Sequence, residues 1–386
     1  MTRVVYVMVV LALAGAASAQ VGGLQTGTEC FSSQDLINSC REGVPPRNGG
    51  GAYEIFVNGT AGDRITDAVD ECIYADVSYC NIFVYRGVYH ERVDVDFTKT
   101  AYGKNAPNIN VYGVRDRLYA TNAHLHEVVV YGGALKMDVT STDGLVNVAA
   151  PSNAGTNKGE ITFYHMSFWN SQAHGIVVEG GAAGLVHCQV FDIAGFGVFA
   201  ATYTAQSTDT DGESDSYTGT GSYVEISNTA FYNTQTSGVY EVFDSSACPT
   251  NGTENNGEGE FYIRDVPVAA AIFVGYESSL KMTYSSVAST NGMGILCQGN
   301  MDVKHNVFYD NIRFHILADK TLAGSNTFHY YDIWQNWMWA GNNGNHAGGI
   351  GLTGLGFTSS NMDHNIQGNL ISGGCAALNV YFGVFD

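Results

Sequence analysis

Five short runs decide the fold of this chain: Phe163-Tyr-His-Met-Ser-Phe168, Val186-His-Cys-Gln-Val-Phe191, Ile226-Ser-Asn-Thr-Ala-Phe231, Met282-Thr-Tyr-Ser-Ser-Val287 and Val303-Lys-His-Asn-Val-Phe308. Each opens and closes on an apolar residue, and in four of them a turn-former follows two positions later: Asn170, Asn233, Ser289 and Asp310. A second apolar run comes next: Gly175-Ile-Val-Val, Gly197-Val-Phe-Ala, Gly238-Val-Tyr-Glu, Gly294-Ile-Leu-Cys and His315-Ile-Leu-Ala. A degenerate copy, Ile263 to Val268 and then Ala271-Ile-Phe-Val, falls between the third and fourth. The shortest spacing between copies is about twenty residues, one coil of a solenoid.

The runs are too short for helices, and they are β-branched, aromatic and alternating. Such a unit buries its apolar face only by stacking on copies of itself. The Leu-x-x-Leu-x-Leu register of a leucine-rich repeat is absent. A β-sandwich with accidental self-similarity is the alternative; a stacked parallel β-coil fits better. The segment resembles the right-handed parallel β-helix of the pectate-lyase-like superfamily, with its apolar-x-x-Asn-x-apolar run followed by Gly-Ile-x-Val. The resemblance covers roughly residues 53 to 380. It implies an all-β solenoid and no particular chemistry, since that superfamily holds lyases, hydrolases, esterases, epimerases, adhesins and non-enzymes.

The flanking sequence sets the compartment. Residues 1–19 read as a secretory signal, with Arg3, a short apolar run and Ala17-Ser-Ala19. No other segment is long and apolar enough to span a bilayer. Residues 20–52 form a Gly-rich leader, and residues 53–386 the β-helix domain. Eight cysteines suit an oxidising, extracellular setting. Cys30/Cys40 and Cys72/Cys80 are near pairs, and connectivity stays open. The Asn-Gly-Thr sequons at Asn58 and Asn251 are candidate glycosylation sites. A net charge of −20 weighs against nucleic acid as a partner, and against a polyanionic glycan unless calcium bridges the charges.

One helix is expected, over residues 63–76, with Asp63 as N-cap and Ile65, Ala68, Val69, Cys72 and Ile73 on one face. It would plug the open end of the stack. The helix and the following Val-Tyr-x-Gly-x-Tyr-x-Glu resemble the first coil of pectate-lyase-like and pectin-esterase-like proteins, where they are structural. That makes His90 and Glu91 turn residues. His124 and His126 read as turn histidines rather than metal ligands. The tryptophan-rich segment 327–339 is either a sugar platform or an apolar cover of the far end.

Strand alternation assigns faces. Ile176, Val198, Val239, Ile272, Ile295 and Ile316 should point into the coil, and Val177, Phe199, Tyr240, Phe273, Leu296 and Leu317 should form an outer stripe. Insertions 202–220 and 244–258 should leave the same edge of that sheet and wall one side of the stripe. An aromatic floor beside carboxylates suits a glycan groove; loops folded over the stripe to hide it are the alternative. Phe199, Tyr240 and Phe273 are the candidate floor, and Glu179, Glu241 and Asp244 the candidate acids. Glu241 falls on a nominally inward position, where an unpaired charge is costly. Asp209, Asp211 and Asp215 outline a short calcium loop without the full spacing. His187, Arg264 and Lys304 occupy one repeat column and offer a lyase base. No Gln-Asp-Thr, Asn-Thr-Asp, Gly-His-Gly or Gly-x-Ser-x-Gly appears, so the resemblance carries over no catalytic residue. Two functions follow: a secreted β-helix that binds or cleaves extracellular polysaccharide, or a non-catalytic structural glycoprotein that packs against copies of itself.

Overall fold

The computed structural model describes residues 53–75, 77–100, 105–114, 128–139, 142–150, 159–201, 221–237, 269–312, 314–319, 329–339, 348–353, 362–373 and 376–380. They form three parallel sheets of ten, nine and nine strands. Each coil contributes one strand to each sheet in turn: Glu160–Tyr164 to sheet 1, Ser167–Ser171 to sheet 2 and His174–Glu179 to sheet 3. This is a parallel β-helix. Its interior is one apolar column per inward position, filled by residues such as Ile176, Val198, Ile272, Ile295 and Ile316.

Two tight turns per coil make the shape. Between sheets 1 and 2, the backbone enters the left-handed region at His165, His187, Asn228, Tyr284, His305 and Gln335, with φ of 50° to 58°. Such a conformation costs about 1–2 kcal/mol for a residue with a Cβ. Met166 follows His165, but at the later corners the next residue (Cys188, Thr229, Ser285, Asn306 or Asn336) compensates by pointing a polar side chain inward. Asn306 Nδ2 donates to the carbonyls of Met282 and Lys304 at 3.0 and 2.9 Å, and Asn336 Nδ2 donates to Val303 at 2.8 Å. Each such side chain also accepts a backbone N–H from the preceding coil. Cys188 donates to Thr229, Thr229 to Ser285, Ser285 to Asn306, Asn306 to Asn336 and Asn336 to Asn369, at 2.8 to 3.2 Å. Between sheets 2 and 3 the turn-formers Asn170, Asp192, Asn233, Ser289 and Asp310 have φ of 52° to 56°. The glycine opening a sheet 3 strand is a close approach: a Cβ on Gly175 would lie 2.5 Å from the Gly197 carbonyl oxygen.

The helix, α1, spans Ile65–Tyr74 and buries the expected face of Ile65, Ala68, Val69, Cys72 and Ile73 against the first coil. The Cys72–Cys80 disulfide ties it to the first strands. Its cap corrects the expectation. Asp63 instead accepts the Asn58 backbone N–H, and Arg64 occupies the cap position without a side-chain bond. The cap comes from Glu91, whose carboxylate accepts the Ile65 and Thr66 N–H groups at 2.9 and 3.2 Å. Burial pushes this carboxyl above its ordinary range, and the two N–H groups and Arg64 oppose that rise. Glu91 is therefore structural, as the first-coil resemblance implies.

Two parts of the repeat alignment are corrected. The second run is offset by one: Leu185 pairs with Phe163, and Val190 with Phe168 and Phe231. More consequentially, Val198 pairs directly with Ile272, and Phe199 with Phe273. In sheet 1, Val224 pairs directly with Leu280. No rung is left between these strands for Val239 and Tyr240, nor for the copy at Ile263 to Val268. Residues 238–268 lie outside the described residues; the described strands before and after them are direct neighbours. The physical reason was visible in Glu241: a rung there would have sent a carboxylate into an apolar column.

Replacing Ile295 by Asp should abolish cooperative folding, because it places an unpaired charge in the coil interior. Asn336→Ala should cost about 2 kcal/mol, since it orphans a buried N–H and a buried carbonyl, while Asn365→Ala on the outer face serves as the near-neutral control. Urea melts measure both. A wild-type midpoint for Asn336→Ala would contradict the turn ladder.

Candidate functional site

The outer face of sheet 3 carries the expected stripe, with a polar beginning. Reading across the rungs, one outward column runs Asp94, Asn147, Val177, Phe199, Phe273, Leu296, Leu317 and Gly351. Asn147 Nδ2 donates to Asp94 at 2.9 Å, and Asp94 is held by Arg92, which also reaches Asp143. The apolar part is largely covered. Val177, Leu296 and Leu317 are at most 4% exposed. Leu296 and Leu317 join Phe196, Ala269, Ala270, Met293 and Phe314 in a cluster separate from the coil interior, and Val139 packs against it. Phe199 and Phe273 are half-buried on the same cluster.

Parallel stacking dictates how these rings sit. Phe199 lies between His174 and Phe273, with centroids 5.5 and 5.1 Å away and planes within 11° and 17° of parallel. The faces are thus spent on neighbouring rings, and edges point outward. His174 is fixed by the Phe196 N–H, which donates to its Nδ1 at 3.0 Å.

The insertions do not leave the same edge. Residues 202–220 follow the C-terminal end of the strand Val198–Ala201, whereas residues 238–268 precede the N-terminal end of Ala270–Val274. These strands are hydrogen-bonded neighbours. The two longest insertions are therefore rooted on opposite sides of one strip, with Phe199 and Phe273 on its floor.

Glu179 lies beside that floor. It occupies the next outward column, between Ala149 and Ala201. Burial raises its carboxyl above the ordinary range, opposed by a hydrogen bond with the Thr142 hydroxyl. Its register partners in that column are both alanine. Asp96, two rungs earlier in the same column, is committed to capping the turn Phe97–Lys99, and Asp94 to Arg92. Glu241 and Asp244 lie outside the described residues, as do Tyr240, Asp209, Asp211, Asp215, Asn251, Arg264, His124 and His126. Among the described residues no group of three His, Cys, Asp or Glu side chains is placed to hold a metal ion. No described helix is long and apolar enough to cross a membrane. Cys188 and Cys297 are buried as thiols. Asn58 is exposed, at the start of the turn Gly59–Ala61.

The lyase-base column is corrected. Lys304 shares its column with Val186, Ser227 and Thr283, while His187 sits in the turn beyond it, stacked on His165 at 5.1 Å. Lys304 bridges Asp302 and Asp332. The hydrogen bond from Lys304 to Asp332 leads in holding its ammonium above the ordinary range, the reverse of what a general base requires.

Sequence reasoning missed an aromatic ladder on the outer face of sheet 2. His90, Tyr131, Trp169, Phe191 and Tyr232 contact one another in succession, with centroids 5.1, 4.9, 5.7 and 4.8 Å apart. The signal was present: Trp169, Phe191 and Tyr232 each stand immediately before a turn-former. Farther along the same sheet, Tyr309, Trp337 and Trp339 are 38% to 46% exposed. The tryptophan segment thus lies on a lateral face with a further coil beyond it, so it does not cover the far end.

No family model matches the chain, and no curated protein matches it. Among solved structures it is similar to the deglycosylated pectin methylesterase from Aspergillus niger, at 12% identity over 88% of this chain and 89% of that one, with a TM-score of 0.39. It is also similar to the alginate lyase from Paenibacillus sp. str. FPU-7, at 12% identity over 86% and 98%, TM-score 0.42. A third is PfbA, a surface adhesin of Streptococcus pneumoniae, at 11% identity over 86% and 90%, TM-score 0.34. At these identities the likeness is one of fold.

Glu179 yields a pH prediction. Its folded pKa lies above the unfolded one, so the ionised form costs stability. The cost is absent below the unfolded carboxylate range and grows as pH rises toward the folded pKa. The melting temperature of Glu179→Gln, relative to the parent, should therefore climb from about pH 4 to about pH 7. A flat or falling difference would show that burial does not control this carboxyl.

Proposed function

We propose that the protein binds or cleaves extracellular polysaccharide on the outer face of sheet 3, in the strip around Phe199 and Phe273. The observation that carries this reading is the rooting of the two longest insertions at opposite ends of neighbouring strands. Long segments on both sides of a rigid strip are the elements from which a groove is made. On the floor, Glu179 offers a half-buried carboxyl whose pKa is raised in the direction a general acid needs. Tyr240, Glu241 and Asp244 belong to the segment 238–268 rather than to a rung, and a second carboxyl from that segment would complete a hydrolytic pair. Secretion through residues 1–19, glycosylation at Asn58 and Asn251, and calcium at Asp209, Asp211 and Asp215 belong to the same reading. The net charge of −20 favours a neutral glycan, or an anionic one bridged by calcium.

A structural glycoprotein is the second reading, and a specific observation favours it. Most of the stripe is buried, and its rings are stacked face to face, so they have edges but no faces to give a sugar.

The double variant Phe199→Ala, Phe273→Ala separates the two. On the first reading it weakens retention on immobilised polysaccharides at least about tenfold, with the chain still folded and its size in solution unchanged. Glu179→Gln then keeps retention and removes any cleavage. If the parent retains on no polysaccharide and the double variant dissolves a multimer, the structural reading stands. Chelation should lower the melting temperature if the Asp209–Asp215 loop holds calcium; an unchanged melt removes the ion from the account.

A further inference from the structure

The aromatic ladder of sheet 2 is interrupted at one rung. Its outward column runs Tyr131, Trp169, Phe191, Tyr232, Ala288, Tyr309 and Trp339. Between Tyr131 and Trp339 every member but Ala288 is aromatic, and Ser372 follows Trp339. From Tyr131 to Tyr232, each ring contacts the ring of the next coil at 4.8 to 5.7 Å. Tyr232 stacks on Phe191 with planes 11° apart, and on its other side the next side chain in the column is a methyl group. Tyr309 meets Trp339 edge to face, at 81°, and its neighbour on the near side is the same methyl. The position is open to water: Tyr309 is 38% exposed, and Asn233 and Ser289 are exposed beside it.

We propose that the gap at Ala288, between Tyr232 and Tyr309, is a binding slot for one neutral pyranose unit of a polysaccharide. Two rungs separate the tyrosines by roughly 9.6 Å of backbone spacing. A flat ring in contact with both would need only about 7–8 Å, at the usual carbon–carbon separation. The slack of about 2 Å suits a puckered, hydrogen-bearing chair better than an aromatic side chain or a base. Unlike Phe199 and Phe273, Tyr232 can offer a ring face here, because the rung that would have used it holds alanine.

The rim supplies the polar part. Asn233, Ser289 and Asp310 each follow a column member directly, and all three have φ of 52° or 53°. They therefore stand in line along one edge of the slot. Asn233 gives its amide N–H to Asp192, and Ser289 adds an exposed hydroxyl, with the half-buried Asp310 next in line. These are partners for sugar hydroxyls. With Asp310 in the rim and no Lys or Arg among these column and rim residues, a uronic acid is disfavoured. Beyond Tyr309, exposed Trp337 and Trp339 extend the same face by one coil. The slot shares the polysaccharide reading for its ligand class but lies on a different sheet from Phe199 and Phe273.

The test fills the rung. Cello-, manno-, xylo- and chito-oligosaccharides too short to span two faces are titrated against the full chain, with tryptophan fluorescence as readout. At least one should bind the parent. Ala288→Phe should weaken it about tenfold or more without lowering the melting temperature, because the new ring continues the ladder. Tyr309→Ala, at an exposed position, should weaken it as well if Ala288→Phe folds poorly. The loss caused by Ala288→Phe should be of the same size in the parent and in the Phe199→Ala, Phe273→Ala background, so that failure of the sheet 3 reading and of this one are told apart. Binding of none of the four series overturns the proposal. So does wild-type affinity in Ala288→Phe, or in Tyr309→Ala where Ala288→Phe folds poorly, and so does a filled rung that changes only the oligomeric state.

Discussion

Everything outside the coil interior follows from in-register parallel stacking. Each residue sits directly over its equivalent in the next coil, at about 4.8 Å. The side-chain ladder through Thr229, Ser285, Asn306, Asn336 and Asn369 holds that register at the tightest corner, because every member satisfies a backbone group of the coil before it. The outer faces then become columns in which neighbours must tolerate one another. Aromatic rings do so by stacking. Charges do so by pairing: Glu225 meets Lys281 in its column at 2.7 Å, and where Asp302 and Asp332 fall on adjacent rungs, Lys304 of the next column bridges both.

That constraint bears on function. A ring inside a column has used its faces, so an aromatic stripe on a β-helix is not by itself a sugar platform. Ring faces are available only where a column ends or is interrupted, as at Ala288. On sheet 3 the same logic shifts weight from the rings to what surrounds them. The insertions rooted at Ala201 and Ala270, and Glu179 between two alanines, give that strip its chemical interest.

The solenoid was legible because its signal is local and repeated. Alternation, the glycine before a sheet 3 strand and the turn-formers Asn170, Asn233, Ser289 and Asp310 all keep their meaning in the structure. What sequence could not supply was which apolar run becomes a rung. Gly238-Val-Tyr-Glu has the same local pattern as Gly197-Val-Phe-Ala, and pairing is decided by the neighbouring coils rather than by the run itself. The helix cap was hidden for a similar reason. Asp63 was the better residue by position, but Glu91, 26 residues from Ile65, reaches the free N–H groups. Of the candidate site, Glu179, Phe199 and Phe273 were assigned to the correct face, whereas the edge from which the insertions leave depends on the corrected rung count.

The direct pairing of Val198–Ala201 with Ala270–Val274 underlies both the strip and its two sides, and cross-linking tests it most directly. With Phe199→Cys and Phe273→Cys in one chain, the two thiols sit on adjacent rungs, within the Cα separation of roughly 4.4–6.8 Å that a disulfide accepts. Mild oxidation should join them rapidly, as read by peptide mass spectrometry, while the pair Phe199→Cys, Tyr240→Cys should not cross-link efficiently. The opposite pattern, with efficient cross-linking between positions 199 and 240 and none between 199 and 273, would place a rung between the two phenylalanines and contradict the account.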